Sequence, residues 1–444
     1  MHKQEAAGSN IRAILALCLV LLPAILFYAI LIKTSFNLPL LDDYHALLQP
    51  VNHLRTMSGL RRDLSYYLAM QHNEYKLWLD TGAAWLQESV LGHLNFRVLS
   101  LAGDSFVLGL GTLLWRLFSA RDMKFTERLL WFAPASWLVF QLSYAETLNW
   151  PMAGLQNIPV VVFSLFGLML LMRTGWGPFT LAVVCLVGAV AASGNGLLVI
   201  PVGLLALALQ RRYAQLACWL VAAAVLVSGY AYHFNVLSSQ TAERRSILVT
   251  LRHFSPMYTL AMMGSEGTRH GAVILGLLIF TLNIYLLWTG YFRTHPAIGY
   301  CTLFLLLTAV GVGGIRSEFG IAQAVSSRYH MYCMLLLVFA WFAWVDRMLT
   351  YGREEQSRRV LIGALIVTIV FALSRDWWGY RMLKARESYT ESGMEAYQKS
   401  LSAGGTLGPV FWIPDVNPAY QTLNPSARTT LTESIALGTY TPPK

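Results

Sequence analysis

The run from Ile11 to Ile32 carries one charged side chain, Arg12, and is long enough to cross a bilayer as a helix. Similar apolar runs recur along the whole chain, and they constrain the fold more than any motif does. Of the 444 residues, 56% are hydrophobic and 13% charged. A soluble protein of this size would carry about twice that charged fraction. The fold class read from this pattern is an all-α polytopic membrane protein. Lys3 before this apolar run and Arg12 at its edge resemble a signal peptide. The run is too long, however, and no small-residue cleavage site follows, so it reads as a retained first helix.

Hydropathy marks about eleven spans: Ile11–Ile32, Val98–Phe118, Leu129–Leu142, Ile158–Met172, Phe179–Ala192, Leu197–Leu209, Ala214–Tyr232, Ala272–Phe292, Ala297–Gly314, Met331–Leu349 and Val360–Leu373. Cations collect in alternate short loops, at Arg116, Arg121, Lys124 and Arg128, at Arg173, at Arg211 and Arg212, at Arg293, and from Arg347 to Arg359. The positive-inside rule puts these with the N-terminus on the cytoplasmic side. Ser143–Asn157 and Ser193–Gly196, which lack Lys and Arg, fall outside. So do the long segments Lys33–Arg97, His233–Gly271 and Ile315–His330, and the tail. The expected organisation is a membrane domain over 1–375, whose first outer loop spans 33–97, and an extracytoplasmic tail over 376–444. Leu47, Leu54, Leu60, Leu64, Tyr67, Leu68 and Met70 recur at roughly helical spacing, which predicts amphipathic helices on the membrane face in that loop.

The net charge of +10 is accounted for by orientation signals and lipid-headgroup contacts. No zinc-finger, RNA-recognition or helix-turn-helix pattern occurs, so nucleic acid is not an expected partner. The five cysteines lie in apolar runs without CxxC spacing and read as core residues.

The polar clusters that can carry chemistry fall on the outer side. Asp42 and Asp43 sit about ten residues beyond the first span. A carboxylate there can act as general base toward an acceptor hydroxyl. Two adjacent carboxylates can instead hold a divalent cation, and a solvated acidic turn after Pro39 is the plainer alternative. His72 and Glu74, in Gln71-His72-Asn73-Glu74-Tyr75, can assist the acids or belong to the polar face of an interfacial helix. The segment from Ser143 to Asn157 holds Glu146, Asn149, Trp150 and Gln156, with Trp150 a sugar platform or an interface anchor. Asn195 lies in Ser193-Gly194-Asn195-Gly196, which permits close backbone approach or a tight turn. Arg316 and Arg328, followed by Tyr329, stand where a guanidinium can grip a phosphate at headgroup depth or anchor a headgroup.

Taken in order, Asp42-Asp43-Tyr44, Gln71-His72-Asn73-Glu74, Glu146 to Gln156, Ser193-Gly194-Asn195-Gly196, and Arg316 through Ser327-Arg328-Tyr329 resemble the GT-C superfamily of integral-membrane glycosyltransferases, over residues 10–375. The superfamily includes protein O-mannosyltransferases, lipid A aminoarabinose transferases and oligosaccharyltransferases. The resemblance implies a bacterial inner-membrane enzyme using a polyprenyl-phosphate-linked sugar and an extracytoplasmic acceptor. It further implies an acid of the first outer loop as base, Asp42 or Asp43, and Arg316, Arg328 and Tyr329 at the donor phosphate. His72, Glu74, Glu146, Asn149, Trp150, Gln156 and Asn195 would line the substrate site. Many members carry Asp-Glu or a separated pair where this chain has Asp-Asp. The absence of GxxxxGK[ST] or a strand-linked GxGxxG fits a donor that is not a nucleotide. An O-antigen polymerase or ligase using Arg244, Arg245, Arg252 and Arg269, and a flippase or transporter using Asp104, are the rival readings.

Overall fold

A computed structural model describes residues 2–57, 60–72, 75–118, 123–235, 254–267, 269–350, 354–402 and 425–443. Among the described residues there is no strand, only isolated bridges at His72–Tyr75 and Leu94–Tyr440. Eight helices among the described residues are long and apolar enough to cross a membrane: Ile11–Thr34, Phe96–Phe118, Pro151–Leu171, Tyr213–Ala231, His270–Trp288, Pro296–Phe319, Ser327–Thr350 and Ser357–Ser392. The chain is a polytopic helical membrane protein. The other three expected spans appear as shorter helices. Phe125–Val139 has 15 residues, Trp176–Ala192 has 17, and the third is the apolar stretch Gly194–Leu209.

Two boundaries differ from the hydropathy reading. Residues 151–157, expected in an outer loop, begin the Pro151–Leu171 helix, because Pro151 occupies its first turn, where a missing N–H costs nothing. The helix expected to end at Leu373 runs from Glu354 to Ser402, 49 residues. No proline interrupts that stretch, so hydropathy falls while the helix continues. The boundary expected at residue 375 therefore lies inside a helix.

The chain divides into two compact units. The first comprises Met1–Ile30, Val107–Tyr144 and Thr250–Gly379; the second comprises Leu31–Phe106, Ala145–Val249 and Tyr380–Lys444. In the first unit, Ser136 Oγ and Trp137 Nε1 donate to the carbonyls of Val20 and Leu19 at 2.7 and 3.0 Å. Phe118, Phe132 and Phe342 form an aromatic cluster in the same unit. The Pro256–Met263 helix lies close against its neighbours: a Cβ on Gly276 would sit 1.8 Å from the Leu260 oxygen. Small residues at helix crossings are the usual means of close packing in lipid.

The second unit contains a core of soluble-protein type. Leu38, Leu40, Tyr44, Leu47, Leu48 and Val51 pack with Trp150, Leu155, Leu431 and Tyr440. Leu47 and Leu54 thus face protein, whereas Leu64 on the Leu60–Ala69 helix is exposed. The correction has a simple cause: the partners come from the Pro425–Ala436 helix, remote in sequence. Asn52 Nδ2 donates to Ser434 Oγ at 2.8 Å, Tyr440 OH to the Asn37 carbonyl at 2.9 Å, and Leu94 N–H to the Thr439 carbonyl at 2.7 Å. The end of the tail is part of the first loop's core.

Candidate functional site

The acid pair begins a distorted stretch of backbone. Leu41 has φ 47°, a left-handed conformation that disfavours leucine, and Tyr44–Leu48 forms one turn of π-helix. Such irregularities persist only where the surroundings enforce them, and they concentrate at functional sites. Here they turn two successive carboxylates in opposite senses.

Asp43 points inward and is fully buried. Its Oδ2 accepts the Leu40 N–H at 2.8 Å and its Oδ1 the Met152 N–H at 3.1 Å. It thereby staples the first loop to the opening turn of the Pro151–Leu171 helix. Burial raises its pKa to about 8; the two N–H donors pull the other way, and the Asp42 charge adds to the rise. Asp42 points outward, with its side chain 42% exposed and Oδ1 3.6 Å from His72 Nε2. Glu74 lies outside the described residues.

A divalent cation fits this pair poorly. Both oxygens of Asp43 are occupied by backbone donors, and among the described residues no three His, Cys, Asp or Glu side chains converge on one point.

The segment after Tyr144 is gripped from inside. Arg386, almost fully buried, donates through Nη1 to the Leu148 carbonyl at 2.7 Å and through Nη2 to the Ala145 carbonyl at 3.1 Å. Its charge interacts with Glu146, Asp104 and Asp43. Asp104 accepts the Asn149 N–H at 3.1 Å. That approach depends on Gly103, whose Cβ would stand 2.9 Å from the Gly154 backbone. Asn149 has φ 49° and donates through Nδ2 to Thr34 Oγ1 and the Leu31 carbonyl. Asn149, Trp150 and Gln156 are consequently buried, so the surface expected to meet a sugar is turned into the protein, and Glu146 alone of the four is half-exposed. The cause is the trio Asp43, Asp104 and Arg386, which satisfies the turn's backbone groups from within.

Behind Asp43 lies Asp80, also fully buried, with neither carboxylate oxygen hydrogen-bonded. Burial pushes its pKa well up and the Asp43 charge adds to this. Lys76 is pinned by the Leu68, Ala69 and Tyr232 carbonyls at 3.0, 2.8 and 2.8 Å. Asn195 is half-buried in a tight turn, where a Cβ on Gly196 would sit 2.2 Å from the Ala189 oxygen.

In the first unit the structure gathers Arg316, Arg328 and Tyr329 around Tyr258. The Tyr258 hydroxyl donates to Gln323 Oε1 at 2.7 Å. Burial and the neighbouring Tyr329 raise its pKa, while the charges of Arg316 and Arg328 oppose the rise. Both arginines are half-buried. Arg328 lies in the 3-10 turn Ser327–Tyr329. The next residue, His330, fixes that turn through the Ser143 carbonyl at 2.9 Å and Glu266 at 3.3 Å, and Arg375 meets Glu266 at 2.9 Å.

Tyr258, Asp80 and Arg386 were not anticipated from the sequence. Arg386 carried one legible signal, an arginine in a proline-free helical stretch; Asp80 and Tyr258 carried none. Arg244, Arg245 and Arg252 lie outside the described residues. Comparison of the chain with protein-family models, with curated proteins and with solved structures finds no match.

Proposed function

We propose that the protein is a membrane glycosyltransferase that moves a sugar from a polyprenyl-phosphate-linked donor to an extracytoplasmic acceptor. The carrying observation is the division between the two acids: Asp43 is buried and holds backbone, and Asp42 is 42% exposed beside His72 on a strained segment. A general base needs that combination of access and rigidity. In the reaction Asp42 takes the proton of the acceptor hydroxyl. The acceptor oxygen bonds to the anomeric carbon, and the bond from that carbon to the phosphate oxygen breaks with its electron pair going to the phosphate. Arg328 and Arg316, which gather with Tyr329 around Tyr258 within the first unit, are the cations this reading assigns to a phosphate. The buried charges Asp104 and Arg386 hold backbone groups of a turn, which suits a fixed strut better than a transport path.

The test is cleavage of a short-chain polyprenyl-phosphate sugar by the purified chain in detergent, followed as released polyprenyl phosphate. Arg328→Lys keeps the charge and loses the two-point grip, so it is expected to be impaired, with Arg328→Ala more so. Full turnover by Arg328→Ala at normal expression would remove the donor assignment.

The topology belonging to this reading is eleven crossings, N-terminus cytoplasmic and C-terminus outside, in a bacterial inner membrane. Contacts within the second unit support it. Asp43 meets Met152, so the first loop and residue 152 share a face. One long helix and Phe125–Val139 lie between them in the chain, so this reading counts the shorter helix as a crossing as well. Gln215 Nε2 reaches the Gly175 carbonyl at one end of the next helices, while Gly194 abuts Tyr230 at the other. Trp176–Ala192 and Gly194–Leu209 therefore cover the same thickness as the longer Tyr213–Ala231. The tail's bonds to Asn37 and Asn52 put it on the face of the first loop. A reporter fused after Lys444, active only outside, is the expected result; cytoplasmic activity there means an even number of crossings.

A further inference from the structure

In the first unit, the Arg269–Trp288 helix, the segment 289–295 that leads into the Pro296–Arg316 helix, and the His330–Thr350 helix border a cavity of about 310 Å³. The last two helices have 21 residues each, or roughly 31 Å at 1.5 Å per residue. The cavity lies by Pro296 and Thr350, at the ends of these helices opposite to Arg316 and Arg328. It is therefore separate from the cluster around Tyr258.

Its walls fix two opposite charges on successive residues. Arg347 donates through Nη1 to Tyr285 OH at 2.7 Å and through Nη2 to Thr289 Oγ1 at 2.6 Å. Its guanidinium lies over the Tyr285 ring, 4.6 Å from the centroid. A guanidinium has five N–H groups, so these two bonds leave three to offer. Asp346 Oδ2 accepts the Tyr291 hydroxyl at 2.6 Å and stands 3.5 Å from His295 Nε2. The His295 ring stacks on Tyr291 at 4.4 Å and bonds Thr294 Oγ1 at 2.9 Å. Both charges are thus held in place before any ligand arrives.

The neighbourhood indicates depth. Trp288 is 84% exposed and Leu287 63% exposed, two and three residues before Gly290 at the cavity. An exposed tryptophan at the end of an apolar helix marks the headgroup level of a bilayer. A ligand here can keep its acyl chains on Leu287 and Trp288 while its polar part enters the cavity.

We infer that this cavity binds the zwitterionic headgroup of an ethanolamine phospholipid. The phosphate meets Arg347 at its remaining N–H groups, and the ammonium meets Asp346. A choline headgroup has no N–H to donate to the carboxylate. A glycerol headgroup has no cation and would set its phosphate near Asp346 uncompensated.

The experiment uses the full chain, purified and delipidated in detergent. Retention of dioleoyl phosphatidylethanolamine, phosphatidylcholine and phosphatidylglycerol is compared by native mass spectrometry at equal lipid concentration. The ethanolamine lipid is expected to be held about ten-fold more tightly than either other lipid, the scale of one charge-assisted hydrogen bond. Arg347→Gln and Asp346→Asn should each abolish the preference. Tyr285→Phe leaves both charges in place and removes one anchor of Arg347, so it should weaken the preference even where the charge variants do not fold. Equal retention of the three lipids overturns the proposal. So does a phosphatidylglycerol preference that Asp346→Asn leaves unchanged, which would mark an anionic-lipid site. Soluble O-phosphoethanolamine competing as well as the intact lipid overturns the lipid assignment in favour of a free metabolite.

Discussion

Asp42→Asn is expected to reduce sugar transfer by about a hundred- to ten-thousand-fold, the usual penalty for loss of a general base, with thermal stability unchanged. The side chain is 42% exposed and touches His72 at ion-pair distance, so the amide disturbs little packing. Asp43→Asn should behave in the opposite way. Its carboxylate holds the Leu40 and Met152 N–H groups, and an amide has one acceptor oxygen for two donors. Its main effect is therefore on stability and on the position of Asp42. The pH dependence distinguishes them further. Burial raises Asp43 from 3.8 to about 8, so between those values the folded protein holds a proton that the unfolded chain has released. The contribution to stability is complete below about pH 4 and is lost as pH rises through about 8. Asp43→Asn should flatten this part of the stability profile, and Asp42→Asn should not. If Asp42→Asn transfers sugar normally while Asp43→Asn is inert at undiminished stability, the two roles are exchanged. If both single variants and the double variant transfer normally, the acid pair is structural and the polymerase or ligase reading gains.

Arg386→Leu should destabilise the protein by about 3–5 kcal/mol, the scale for removing one partner from a buried charge group. The leucine leaves the Leu148 and Ala145 carbonyls without their donor. It also removes a cation whose charge interacts with Glu146 and Asp104. Adding Asp104→Asn should recover part of the loss, because the amide oxygen can still accept the Asn149 N–H without a buried negative charge. The measurement is the unfolding midpoint of purified single and double variants in one detergent. An unshifted midpoint in Arg386→Leu would show that the guanidinium does not support the turn. A double variant no better than the single would show that its carbonyl bonds outweigh its charge.

Hydropathy alone settled the class of this protein, and for a direct physical reason. A lipid-crossing helix satisfies its backbone internally and declares itself by length and composition. Each of the eleven apolar runs became a helix, and eight of them are long enough to span. The candidate residues were less legible. Asp42, His72, Arg328 and Tyr329 were chosen for residue type and for the side of the membrane on which the positive-inside rule expects them. Nothing in Asp-Asp states that one acid turns inward to staple two backbone N–H groups. That follows from a left-handed Leu41 and from a helix that begins at Pro151. Asn149 and Trp150 read as a sugar-binding surface because a short polar loop looks exposed in sequence. Asp104 and Arg386, 45 residues upstream of Asn149 and 238 residues beyond Leu148, bury it by supplying its backbone partners. The tail showed the same limit. Its apolar residues are too sparse to form a core alone, yet Leu431 and Tyr440 complete one begun by Leu38 and Leu47. Local composition encodes which segments enter the membrane. Which buried charge meets which carbonyl, and which remote helix closes a core, is encoded only in pairings that exist once the chain has folded.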